Sequence, residues 1–283
     1  MKLLEYTLSP GVRAFSTMRQ GGFSQGNYGE FNANAYCGDN REAVQKNRQL
    51  MADALGITTD NLIFTHQIHS TFVRVVNETF MRLTPAQRTN QLEGVDAVVT
   101  NLPGVCLCIS TADCIPIIIY DTRHRAAACI HAGWRGSMQR IVESAFDRMA
   151  DYYGTKAGDC QAVIGPGISV KNYEVGDEVY AAFAQAQFDM EQIAVRQTGG
   201  FKVKDGKLTV PVEKWHIDLP RCNRLQLLGC GLAEENIHDC GICTYDHVDD
   251  FFSARRLGVQ SGRIITGVMI ENRTNTHKNL KPE

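Results

Sequence analysis

Short apolar runs divided by turn residues dominate the middle of the chain: VDAVV (95–99), VCLCIS (105–110), IPIIIY (115–120) and AAACIH (126–131). Runs of this length predict strands that are buried on both faces. Elsewhere the period lengthens. DNREAVQKNRQLMADALG (39–56) predicts a helix with Asp39 as its cap, Glu42 three residues on and Gly56 as its stop. MQRIVESAFDRMADYYG carries Ile141, Ala145, Met149 and Tyr153 near helical spacing, so a second helix is predicted over 137–153, entered through the glycine turn of AGWRGS. QAVIGPGIS reads as strand and turn, DEVYAAFAQAQ and HIDLPRCNRLQLLGCG as helices, and RIITGVMIE as a late strand. The alternation predicts a mixed α and β fold with helices packed outside mixed sheets.

One hairpin carries chemistry. If DTRH (121–124) is its turn, Tyr120 faces Arg125 and Cys114 lies directly across from His131, with Cβ atoms roughly 4.5–5.5 Å apart. A loop of odd length would send the two side chains to opposite faces. Taken singly, Cys114 reads as a buried inert thiol and His131 as a hydrogen-bonded core histidine. Together, at strand ends beside turn residues, they read as two ligands of one ion or as a thiol with its base. FTHQIHS adds His66 and His69, which point to opposite faces if extended, so at most one joins the pair unless the segment coils. Two imidazoles and a thiolate make a Zn²⁺ site with an open fourth position, as in catalytic metal centres. Val44, Arg48, Met51 and Leu55 share one helix face, so Arg48 projects from its apolar side. Its stem either covers apolar surface while its head reaches water, or the guanidinium aims inward at an anion such as phosphate.

Composition narrows the class. The chain has 283 residues, 43% of them hydrophobic, with 8 prolines, and no linker, repeat or charge block interrupts it, so a single domain over 1–283 is expected. The 29 basic and 31 acidic residues leave a net charge of -2, which gives no electrostatic case for nucleic acid or an anionic membrane. Small-molecule partners are expected instead. The start, MKLLEYTLSPGVRAF, lacks the apolar core of a signal peptide, and no run reaches about 18 apolar residues, so a cytoplasmic location is expected. Its ten cysteines are then reduced thiols, most of them small core hydrophobes.

The motifs FSTMRQGGFSQGNYGEFN, VQKNR, HQIHS, ADCIP, HAGWRG, GPGIS…NYEVGDEV and CTYDHVDDFFSARR…SGR follow one another over most of the chain. In this order the chain resembles the YfiH family, also called the laccase-domain or polyphenol oxidase family, whose members are described as purine nucleoside phosphorylases with adenosine deaminase activity. The resemblance implies a four-layer α/β/β/α fold. It implies zinc held by His69, Cys114 and His131, with these three and Arg48 as catalytic residues. The family's substrate-contacting arginine falls on Arg48, and because phosphorolysis needs a cradle for phosphate, Arg19 and Arg135 are expected as supporting donors, with Asn32 a further expected contact. The implied substrates are adenosine, inosine or methylthioadenosine with phosphate. Asp113, beside a ligand, either orients that ligand or is a turn carboxylate. The chain departs from the family at Gly167, where relatives often carry a cysteine, and at Met18, where threonine or serine is common before Arg19.

Other readings compete. Cys114 activated by His131 would make an amidase acting on a peptidoglycan precursor. A closed fourth ligand such as His66 would make a non-catalytic zinc module. A His₂Cys set would also accept a single copper, but with eight histidines and no His-x-His pair, multicopper oxidase chemistry is disfavoured. CGIC (240–243) has redox-motif spacing and reads as structural. Ser253, Arg255 and Arg256 of FFSARR either face the pocket or form a solvated corner, and Trp134 and Trp215 read as packing residues.

Overall fold

The computed structural model describes residues 1–204 and 207–272. Its two larger sheets stack face to face. One orders the strands Leu3–Tyr6, Val12–Thr17, Ile264–Ile270, Cys106–Thr111 and Leu62–Phe64, antiparallel except for the last pair. The other orders Ile237–Asp239, Cys160–Ile164, Ile115–Asp121, Ala126–Ala132, Ala97–Thr100 and Val73–Val75, with parallel pairs at both edges. A three-stranded sheet of Glu174–Val175, Lys207–Ile217 and Ala194–Lys204 stands apart from both.

Alternation along the central strands builds the layers. Leu107 and Ile109 face inward and meet Ile118 and Cys129 of the opposite sheet. Cys106 and Cys108 face outward onto Met51, Ala52 and Leu55 of the Arg41–Leu55 helix. On the far side, Ile117, Ile119 and Ile130 pack against Ile141, Ala145 and Met149 of the Ile141–Tyr153 helix and Leu227 of the Leu219–Gly229 helix. Helix, sheet, sheet and helix form four layers, as the family resemblance implies. Each fully buried aliphatic side chain contributes roughly 1.5–3 kcal/mol to holding them. All ten cysteines are free thiols. Among the described residues no helix is long and apolar enough to cross a membrane.

Three local expectations need correction. The first helix is capped by Asn40, whose side chain accepts from the backbone N–H groups of Glu42 and Ala43. Asp39 instead accepts from Ser24 Oγ and Asn32 Nδ2. The helix expected over 137–153 is two helices, Trp134–Met138 and Ile141–Tyr153, broken where Arg140 takes φ 63°. In the hairpin, the Ile115–Asp121 and Ala126–Ala132 strands pair Asp121 with Ala126 and Pro116 with His131. The turn is Thr122–Arg125, because Asp121 stays in the ladder and its buried carboxylate accepts from the N–H groups of Arg123 and His124, each at 2.9 Å. The shift relative to the expected register is two positions, an even number, so Cys114 and His131 keep to the same face.

Candidate metal centre

Cys114 sits just ahead of the Ile115–Asp121 strand, after Asp113, which takes the left-handed conformation at φ 86°. That turn is fixed by its own carboxylate, which accepts from Thr244 Oγ1 at 2.7 Å and the Arg255 N–H at 2.6 Å. Of the two roles open to it, Asp113 therefore takes that of a turn carboxylate. His131 lies near the end of the neighbouring strand, 3% exposed.

The third side chain arrives from a loop. His69 has φ 66°, so the HQIHS segment coils, and this brings His66 and His69 to the same cavity. A left-handed non-glycine residue is strained, and here the strain is outweighed by Asp96. This fully buried carboxylate accepts from the N–H groups of Ile68 (3.1 Å), His69 (3.0 Å) and Ser70 (2.8 Å) and from Ser70 Oγ (2.8 Å). It also accepts from His131 Nδ1 at 2.6 Å. One carboxylate thus shapes the loop that carries His69 and fixes the tautomer of His131, leaving that ring's Nε2 to face the centre.

The donor atoms of His69, Cys114 and His131 all lie within 4.8 Å of one another, and Cys114 Sγ is 3.7 Å from His69 Nε2. Bond lengths of about 2.3 Å to sulfur and 2.0 Å to nitrogen put tetrahedral S and N ligands roughly 3.5 Å apart, so the donors fit a zinc-sized ion. The rings of His69 and His131 meet edge to face at 4.8 Å. Gly133 permits the approach: a Cβ there would lie 2.6 Å from His69 Cδ2 and 3.0 Å from Cys114 Sγ.

The electrostatics favour a thiolate. Burial alone would raise the Cys114 thiol, but the charge and hydrogen bonds of His131 and His69 outweigh it and bring the pKa down to about 6. Burial would lower His131, but Cys114 and Asp96 raise it to about 9. Asp96 would also be raised by burial, yet its bonds to His131 and Ser70 hold it below the usual carboxylate range.

A cavity of about 300 Å³ opens on the centre, lined also by Asn34, Tyr36, His66, Thr111, Val259 and Arg263. His66 does not join the group of three candidate donors; its Nδ1 is 2.6 Å from Glu93 and its ring stacks on Tyr36. The other carried-over residues lie elsewhere. Arg48 stands over the Phe64 ring at 4.2 Å, gives its Nε–H to Ala33 O, and lines a second cavity of about 210 Å³ that shares Tyr36 with the first. Burial lowers its pKa. Arg19 is bound to the carbonyls of Gly29 and Val248. Arg135 is exposed over the Trp134 ring. Asn32 is fully buried, giving Nδ2–H to Asp39 and accepting from the N–H groups of Arg263 and Asn34. Arg255 donates to Glu174 O and Arg256 to Tyr245 O, while Trp215 stacks on Tyr180. In CGIC, Cys243 accepts from the Ser169 N–H and from Asn172 Nδ2.

Sequence reasoning did not identify Asp96, although it lies in the VDAVV run. A buried acid between valines was the available signal. It also did not single out Tyr36 or Asn34, which follow the glycine segment.

Residues 13–271 match the model of the family described as multi-copper polyphenol oxidoreductase laccase, and the chain belongs to that family. Over 259 residues, 92% of each chain, it is 44% identical to a purine nucleoside phosphorylase of Bacteroides thetaiotaomicron. It is 38% identical to adenosine deaminase RL5, from an unknown prokaryotic organism, over 91% of this chain and 94% of that one. Among solved structures, the hypothetical protein YfiH of Bacillus licheniformis superposes with a TM-score of 0.81 at 26% identity, covering 92% of this chain and 93% of the other. YlmD of Geobacillus stearothermophilus gives a TM-score of 0.81 at 25% identity, covering 93% of each.

Proposed function

We propose that this chain is a zinc-dependent purine nucleoside phosphorylase that also deaminates adenosine. The observation that carries the proposal is the convergence of His69, Cys114 and His131 at a cavity, in a chain closely similar to a named phosphorylase and a named deaminase. A thiolate with two imidazoles suits zinc, and copper is the alternative. Multicopper chemistry needs several imidazole-rich sites, whereas the described residues gather one group of three donors. When bound, zinc supplies Lewis acidity that draws the pKa of a water toward 7.

The chain's own residues would do the rest. Asp96 holds His131 in one tautomer and His69 in its strained loop. In phosphorolysis, a phosphate oxygen bonds to the anomeric carbon while the glycosidic C–N bond breaks and its electron pair leaves with the base. Arg48 is the residue of choice to bind phosphate, since among the described residues its two Nη groups have no hydrogen-bond partner and are open to donate to phosphate oxygens. In deamination, water adds at the purine C6 and ammonia leaves. Adenosine, inosine and methylthioadenosine are the proposed nucleosides, and the cytoplasm the proposed location.

The arrangement Cys114, His131, Asp96 also follows the nucleophile–base–carboxylate order of a thiol hydrolase, which keeps the amidase as a second reading. One experiment separates them. Purified protein is incubated with adenosine, with and without phosphate, and adenine and inosine are quantified. Adenine should need phosphate and inosine should not, and Cys114→Ala or a chelator should abolish both, with zinc restoring the chelated enzyme. Persistence of both activities in Cys114→Ala overturns the proposal. An acyl-enzyme at Cys114 that survives chelator establishes the hydrolase instead.

A further inference from the structure

Resting on that reading, we infer that Tyr36 and His66 form the platform on which the purine base is held. Their rings are parallel, with centroids 4.0 Å apart and planes 16° from each other, and both line the cavity beside the metal donors. Tyr36 is nonetheless 47% exposed, so its apolar ring is not there to complete a core. A planar aromatic base laid on the pair would extend the stack and cover that surface, and base–aromatic stacking tolerates any base because each has a π face.

The platform is built to stay in place. Asn34 Oδ1 accepts from the Tyr36 N–H at 2.7 Å, and Tyr28 Oη donates to Cys37 O at 3.1 Å, so the loop is tied on both sides of the ring. Asn32 anchors its base through Asp39, Asn34 and Arg263. Glu93 fixes His66 from the edge away from its stacked face. Restraint of this kind lowers the ordering cost of binding. Tyr36 also borders the second cavity, where Arg48 lies, so the platform adjoins both the cavity of the three donors and that of the arginine proposed to bind phosphate.

Tyr36 is then a binding residue whose ring matters and whose hydroxyl does not. KM for adenosine and for phosphate, and kcat, are measured on the zinc-loaded enzyme for wild type, Tyr36→Ala, Tyr36→Leu and Tyr36→Phe, with adenosine affinity measured directly by calorimetry. Tyr36→Ala and Tyr36→Leu should raise the adenosine KM and Kd about tenfold. KM for phosphate should stay unchanged, and Tyr36→Phe should restore adenosine KM to within about twofold. An unchanged adenosine Kd in both truncated variants overturns the inference, as does a Phe variant as weak as Ala, which would place recognition in the hydroxyl. If wild type neither binds nor turns over a purine nucleoside, the functional reading fails and takes this inference with it. An active wild type with an indifferent Tyr36 defeats this inference alone.

Discussion

At the residue scale the centre is held by one buried carboxylate. Asp96 accepts from three successive backbone N–H groups around His69 and from the ring of His131, so it governs two of the three donors. Asp96→Asn places an amide N–H₂ among groups that are all donors. Zinc affinity should fall about 10- to 100-fold, as for other partners of metal-bound histidines, and metal titration checks it. The thiol gives a pH test in the metal-free protein. With its pKa brought down to about 6, Cys114 should be alkylated at a rate that stays level above neutrality and falls as pH drops through about 6. A rate that falls off already near 9 would contradict the assigned environment. The linkage has the matching sign. The folded thiol's pKa lies below its ordinary value, so its contribution to stability is complete above that ordinary value and lost as pH falls through about 6. His131 is the mirror case, its contribution complete below its ordinary value and lost as pH rises through about 9.

Elements differ in how much of their placement local sequence reveals. The central strands and the helices at 177–185 and 219–229 are visible as patterns, because burial on both faces and amphipathic periods leave direct marks in composition. The hairpin turn is not, since DTRH and TRHR are equally polar. What selects the latter is the buried Asp121 carboxylate, which binds the turn from inside the ladder. Asp121→Ala should destabilise the fold by roughly 1–3 kcal/mol, read by chemical denaturation, because it removes the buried carboxylate that accepts from two turn N–H groups and from His124 Nδ1. Zinc stoichiometry should be retained, since the turn is at the opposite end of the strands from Cys114. The break at Arg140 and the coiling at His69 are equally hidden. Both place a non-glycine residue at positive φ, and at His69 the choice is enforced by tertiary hydrogen bonds to Asp96 rather than by neighbours in sequence.

For the whole molecule, mixed α and β character follows from periodicity, while the order of four layers depends on strands far apart in sequence, such as Cys106–Thr111 beside Ile264–Ile270. The site shows the same division. Cys114 and His131 belong to one hairpin and can be brought together from sequence although their exact register cannot, because any even shift keeps them on one face. His69 joins them only through Asp96, which no spacing rule connects to it. The layers deliver the three donors to one end of the sandwich, beside a cavity, and the account stands or falls on their sharing one ion. The most direct test is metal analysis of purified protein loaded with zinc and then dialysed, wild type beside Cys114→Ala. About one zinc per chain in wild type and almost none in the variant is the predicted result, as expected when a deprotonated ligand of an open three-donor site is removed. A variant that keeps its full complement of zinc would contradict it.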